Sequence, residues 1–131
     1  MTVLDASAVL ALLKREPGGE FIAEFIESGD PRSVVLGAAN LAEVISKLAV
    51  QGIDPMRAYG LIQTMGFTVE PVTAGDALLA GALRTMEGGR ELSLGDRCCL
   101  ALALRMPSAE VWTGDRTWAE LDLPIAVKLI R

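Results

Sequence analysis

Met1-Thr2-Val3-Leu4-Asp5-Ala6-Ser7 opens the chain, and its reading decides the fold. A short apolar run, Val3-Leu4, reaches a single carboxylate and passes at once into a second run, Ala8-Val9-Leu10-Ala11-Leu12-Leu13, too long for another half-exposed strand. The pattern is strand, acid, helix. Asp5 is therefore expected at the carboxyl end of a central strand, where open α/β sheets place their ligands. A carboxylate between two hydrophobic segments is costly to desolvate unless a positive or hydrogen-bonding group meets it.

Outward from that stretch, apolar strands alternate with amphipathic helices. Pro17-Gly18-Gly19 ends the first helix, and Phe21, Ile22, Phe25 and Ile26 recur at helical spacing up to Ser28-Gly29-Asp30-Pro31. Val34-Val35-Leu36 reads as a second strand, apolar on both faces as a covered parallel strand should be. A helix is expected from about Asn40, burying Leu41, Val44, Ile45 and Leu48 and ending at Gly52. Asp54-Pro55 starts another, with a stripe of Ala58, Leu61, Ile62 and Met65. Phe67-Thr68-Val69 is a third strand, and Thr73 caps a helix carrying Ala77, Leu78, Leu83 and Met86. Ser93 starts the next, burying Cys99, Leu100, Ala103 and Leu104, and Pro107 closes it. Glu110-Val111-Trp112-Thr113 is a fourth strand, a brief helix surrounds Trp118 and Leu121, and Ile125 to Leu129 is the last strand. The alternation predicts a three-layer α/β/α sandwich around a central parallel sheet of four to five strands.

With 131 residues, 51% of them hydrophobic, a single domain over 1-131 is expected. The uncharged stretch Ser33 to Ala42 is broken by Gly37 and Asn40 and is far too short to span a bilayer. No basic leader with a cleavage site marks secretion, so a cytoplasmic protein is expected. Cys98 and Cys99, adjacent in a helix, diverge and match no metal motif; they read as small core hydrophobes. Histidine is absent, which removes Ser-His-Asp and Cys-His nucleophile pairs, imidazole acid-base chemistry and most zinc sites. Any hydrolysis must rest on carboxylates, lysine or a metal held by oxygen.

Four carboxylates occupy equivalent places: Asp5 after the first strand, Glu43 in the first turn after the second, Asp96 in the first turn of a later helix, and Asp115 after the fourth strand. In a parallel sheet the strand-to-helix junctions share one edge, so these acids converge. Each also has a purely local explanation: Asp5 as a helix cap, Asn40 with Glu43 and Ser93 with Asp96 as capping boxes, and Asp115 as a turn residue. Gathered in one cleft, they would repel one another and raise their own pKa values until a cation neutralised them. Oxygen-only ligands select Mg²⁺ or Mn²⁺, which can position water for in-line attack and steady the charge of a phosphodiester.

Val3-Leu4-Asp5-Ala6-Ser7, Asn40-Leu41-Ala42-Glu43-Val44, Leu92-Ser93-Leu94-Gly95-Asp96-Arg97 and Thr113-Gly114-Asp115-Arg116-Thr117-Trp118 together resemble, in order and spacing over nearly the whole chain, the four acidic motifs of PIN-domain ribonucleases, most closely the VapC-like toxins of bacterial toxin-antitoxin pairs. The resemblance implies a PIN-like fold and a metal-dependent endoribonuclease held inactive by a VapB-like antitoxin. It implies Asp5, Glu43, Asp96 and Asp115 as catalytic, Mg²⁺- or Mn²⁺-binding acids, with Asp122 a rival for the fourth place. Ser7 and Thr113 are candidate hydroxyl helpers or local backbone caps. The amphipathic segments Phe21 to Ile26 and Ala58 to Met65 suit an antitoxin helix or a second copy in a homodimer.

RNA as substrate must be squared with a net charge of -5. Arg84, Arg90, Arg97 and Arg116 are expected near the acidic edge or in loops beside it and offer local attraction, or simply form part of a solvated mixture of charges. Trp112 and Trp118 read as core residues rather than stacking platforms. Three other readings stay open. A haloacid-dehalogenase-type phosphatase expects a second Asp where Ser7 stands, and a receiver domain expects an acidic pair where Val3-Leu4 precede Asp5. The third is a non-catalytic PIN-like module that only binds a partner.

Overall fold

The computed structural model describes residues 1–131. Its sheet has five strands, β1 (Thr2–Leu4), β2 (Val34–Gly37), β3 (Thr68–Glu70), β4 (Glu110–Thr113) and β5 (Ala126–Leu129), in the order β3-β2-β1-β4-β5. Every pairing is parallel. Six helices connect them: α1 (Ala6–Lys14), α2 (Gly19–Ser28), α3 (Ala38–Val50), α4 (Pro55–Thr64), α5 (Ala74–Ala82) and α6 (Leu94–Arg105).

Residue alternation divides the core into two. Leu4, Val34, Leu36 and Trp112 face one way, against Val9, Ile22, Val44, Leu48 and Ile62 of α1 to α4. Val3, Val35 and Val111 face the other way, against Leu100 and Ala103 of α6 and the fully buried Trp118. The expected three layers follow, and the continuous apolar strands are explained by helices on both faces. No helix is long and apolar enough to cross a membrane.

β1 lies at the centre, and the chain leaves it toward β2 and β3 on one side before returning to β4 and β5 on the other. The gap between β1 and β4 is thus the topological switch point. Register fixes what lies there. Leu4 pairs with both Leu36 and Trp112, so Asp5, Gly37 and Thr113 are the next residues at the same edge. The Asp5 N–H extends the ladder by donating to the Trp112 carbonyl at 3.1 Å.

Several local expectations hold. Asp54 caps α4 through the Arg57 N–H, and Thr73 with Asp76 and Ser93 with Asp96 close reciprocal capping boxes on α5 and α6. Cys99 is buried and free in the core, whereas Cys98 is half-buried.

Other expectations are corrected. α3 begins at Ala38, with Gly37 in extended conformation as its cap, so Asn40 lies inside the helix and forms no capping box with Glu43. Glu43 accordingly falls in the second turn, not the first. On α5 the buried positions are Asp76 and Ala80, while Ala77 and Leu78 face solvent and Leu83 opens a following 3-10 turn. On α4, Leu61 is exposed beside the buried Ala58 and Ile62.

The phase of α5 has an electrostatic cause. Asp76 is only 4% exposed, yet its two oxygens receive Arg105 Nε at 2.9 Å and Nη2 at 3.0 Å, clamping α5 to α6. The hydrogen bonds from Arg105 hold the Asp76 carboxyl below the ordinary aspartate value of 3.8, against the opposing effect of burial. A depressed folded-state pKa stabilises the fold above that ordinary value, and the stabilisation is lost as pH falls through the lower folded value. Asp76→Asn should cost about 2 kcal/mol at neutral pH, less than a fully buried pair because Arg105 is partly solvated. It should also flatten the acid limb of the stability profile below pH about 4. Urea denaturation of both proteins across that range checks both effects.

Candidate active site

Asp5 is 4% exposed at the end of β1. It caps α1 by position, but its side chain makes no capping hydrogen bond. Its Oδ2 instead accepts from Ser7 Oγ at 2.6 Å and from Thr113 Oγ1 at 2.9 Å. Each hydroxyl in turn accepts a backbone N–H, Ser7 from Gly114 at 2.9 Å and Thr113 from Asp115 at 3.0 Å. With both protons committed to Asp5, the 3.4 Å approach of the two hydroxyls is a contact and not a further hydrogen bond. Ser7 and Thr113 are thus both carboxylate donors and backbone caps, and they tie the start of α1 to the turn after β4.

Glu43 is held differently. Asn40, fully buried in α3, donates from Nδ2 to Glu43 Oε2 at 3.0 Å and to the Gly95 carbonyl at 3.1 Å, so one amide joins α3 to the first turn of α6. Glu43 lies against Gly95 itself, where a Cβ would run into the carboxylate. Burial raises the Glu43 pKa first, the Asn40 hydrogen bond opposes this, and the charges of Asp5 and Asp96 raise it further. Asp96 is also raised, by burial first and then by the charges of Asp5 and Asp115, against the hydrogen bond from the Ser93 N–H. These mutual effects place all four acids in one electrostatic field. Asp115 accepts from the Thr117 N–H at 3.0 Å and the Thr117 hydroxyl at 2.7 Å, both on Oδ1.

A common pattern emerges. Asp5 and Asp96 are anchored through Oδ2, Glu43 through Oε2 and Asp115 through Oδ1. The other oxygen of each receives no donor from the protein. Four such oxygens, mutually repelling and in no salt bridge, with only the more distant Lys47 charge acting on Glu43, suit a hard divalent cation by donor chemistry. The cage is not closed in advance: no three acidic or thiol side chains already stand ready to grip one ion.

Asp122 lies elsewhere, in a hollow with Glu87, Glu91, Thr117 and Glu120. The largest hollow, about 740 Å³ along Arg84 to Glu91, includes none of the four acids. Among the arginines singled out in the sequence, Arg84, Arg90 and Arg116 are exposed and unpaired. Arg97 is turned onto α5, donating from Nη1 to the Ala80 carbonyl at 2.8 Å. Two residues of the site escaped sequence reading, Asn40 as the holder of Glu43 and Arg131 beside Gly114. Only the Asn at three-residue spacing from Glu43 left a local trace.

A model of the PIN domain family matches residues 2–123. Among solved structures, a toxin-antitoxin complex from Klebsiella pneumoniae is 18% identical, with TM-score 0.74 over 100% of this chain and 98% of that chain. A VapBC structure from nontypeable Haemophilus influenzae is 22% identical, with TM-score 0.69 over 98% and 97%. A Mycobacterium tuberculosis VapC toxin, described as cleaving the sarcin-ricin loop, is 21% identical, with TM-score 0.70 over 91% and 95%. No curated protein matches the chain. At these identities the solved structures speak for the fold alone. The family model spans nearly the whole length of the chain, and the chain belongs to the PIN domain family.

Proposed function

We propose that this protein is a metal-dependent endoribonuclease, a VapC-like toxin that hydrolyses RNA phosphodiester bonds and is held in check by a VapB-like antitoxin. The observation that carries the reading is the set of carboxylates at the switch-point edge, each with one oxygen fixed by the protein and the other left without a protein donor. Asp5, Glu43, Asp96 and Asp115 would hold Mg²⁺ or Mn²⁺, and Asp115 takes the fourth place over Asp122 because its charge acts on Asp96. A bound divalent ion supplies Lewis acidity and positive charge to the phosphodiester.

The chain's own residues do the rest. Ser7 and Thr113 orient the Asp5 carboxylate, Asn40 orients Glu43, and the Ser93 and Thr117 N–H groups orient Asp96 and Asp115. With no histidine in the chain, a carboxylate of this edge is the candidate proton acceptor. Support for the toxin reading comes from the similar solved structures, which include toxin-antitoxin complexes and a toxin described as cleaving the sarcin-ricin loop. Phe21 on α2 and Met56 and Leu61 on α4 expose apolar side chains suited to an antitoxin helix or to a second copy in a homodimer. One feature favours the rival reading, a PIN-like module that only binds a partner: the acids are not already gathered into a cage.

Asp5→Asn separates the two. Asparagine keeps an acceptor oxygen for Ser7 and Thr113, so the fold should persist while Mg²⁺- or Mn²⁺-dependent cleavage of structured RNAs falls at least about 100-fold. Calorimetric metal titration and gel-resolved cleavage, with no antitoxin present, are the measurements. A wild type that binds no metal and cuts nothing would hand the argument to the binding module. Gly95→Ala tests the placement of Glu43. Gly95 lies in the first turn of α6, where the helix-interior preference for alanine of about 1 kcal/mol applies only in part, and the clash falls on the flexible end of Glu43, so thermal stability should stay close to wild type. The added methyl displaces Glu43, and Mn²⁺ affinity should drop about 10-fold. Unchanged affinity would remove Glu43 from the ligand set.

A further inference from the structure

A reaction edge lined by four carboxylates, in a chain of net charge -5, repels a polyanion, and a fixed cation beside the acids would offset that repulsion. Arg97 is turned onto α5, its Nη1 donating to the Ala80 carbonyl and its Nε buried out of reach of a ligand, and Arg84, Arg90 and Arg116 are exposed with nothing to fix them. Arg131 is different. β5 delivers it to the acidic edge: Leu129 pairs with Thr113, and the Ile130 N–H donates to the Thr113 carbonyl at 3.0 Å. Its Nη1 donates to the Pro17 carbonyl at 3.0 Å and stands 4.0 Å from Glu16 Oε2.

The guanidinium lies across Gly114. A Cβ at Gly114 would stand 3.0 Å from Cζ and Nη2 and 3.2 Å from Nε, closer than ordinary packing allows. Gly114 joins Thr113, whose hydroxyl donates to Asp5, to Asp115, and its own N–H donates to Ser7. Arg131 therefore covers the turn between two of the four acids. Nη1 is anchored, while Nε and Nη2 have no protein acceptor. That is one edge of a planar fork of the kind that matches two oxygens of a phosphate.

We infer that Arg131 is a substrate-binding residue, holding a backbone phosphate of the RNA beside the acids through Nε and Nη2. The inference rests on the nuclease reading and names the group that brings the polyanion to that site. Pro17 and Glu16 fix the guanidinium without saturating it, and glycine at 114 leaves room for it.

Arg131→Gln and Arg131→Lys test this, with steady-state cleavage of a single-stranded RNA in Mg²⁺ across a series of monovalent salt concentrations and thermal melts alongside. For Arg131→Gln the expected result is a fall in kcat/KM of about 10-fold at low salt, mainly in KM. The log-log salt dependence should become shallower by about 0.7, the slope of one lost phosphate contact to a single strand. The melting temperature should be unchanged, and Arg131→Lys should recover part of the KM. A wild-type salt slope in Arg131→Gln would overturn the inference. So would a loss confined to kcat together with a lowered melting temperature, because the guanidinium would then only brace the Asp115 turn. A wild type that neither cleaves nor binds RNA would overturn the nuclease reading and this contact with it.

Discussion

A carboxylate buried at the end of the central strand, with only hydroxyls to meet it, is the constraint on which the site depends. Asp5 occupies the point where the chain reverses its direction of travel across the sheet, and it is 4% exposed there. Burial of a carboxylate costs free energy that hydrogen bonds must offset. Ser7 and Thr113 supply two, from opposite sides of the β1 to β4 gap, and in doing so lock the start of α1 to the turn that carries Asp115. The order of the site is thus a consequence of satisfying one acid. Neither lysine nor arginine pairs with it, and the remaining charge is left for a ligand.

Asp76 shows the opposite solution at equal burial. It too is 4% exposed, but a guanidinium meets both of its oxygens while the Thr73 N–H also reaches Oδ2. Its charge is neutralised from within, and its effect is to clamp α5 to α6. Two aspartates alike in residue type and exposure therefore divide into a structural and a functional role by the partners they find. Burial alone does not separate them; the unsatisfied oxygen does.

That distinction marks what a sequence makes legible. The parallel sheet could be read because strands covered on both faces are apolar throughout, and because Thr73, Ser93 and Asp54 announce their helices by short-range capping chemistry. Asp5, Asp96 and Asp115 stand out in the sequence because each follows a strand or opens a helix, and topology brings such junctions to one edge, whereas Glu43 lies a turn deeper in α3 than its spacing suggested. What escaped was set by distant partners. Asn40 resembles a cap until Gly37 takes that role and the Gly95 carbonyl, 55 residues away, receives its amide. The phase of α5 is fixed by Arg105, 29 residues beyond Asp76. Arg131 meets the turn after β4 only because β5 ends there.

The rim of the site also depends on side chains that are absent. Gly37, Gly95 and Gly114 all sit at strand or helix ends on the acidic edge, and none adopts a left-handed backbone conformation. Flexibility is therefore not their reason. A Cβ at Gly37 would press on Asn40 Oδ1 and Leu102, one at Gly95 would strike Glu43, and one at Gly114 would strike Arg131. Each glycine admits a polar side chain from another element: Asn40 to the end of β2, Glu43 to the start of α6, and Arg131 to the turn between Thr113 and Asp115. Helices and strands alone would hold those groups a methyl's width farther out. The convergence of charge at the switch point thus comes from two sources, the parallel topology that brings the junctions together and the missing methyls that let the side chains close in.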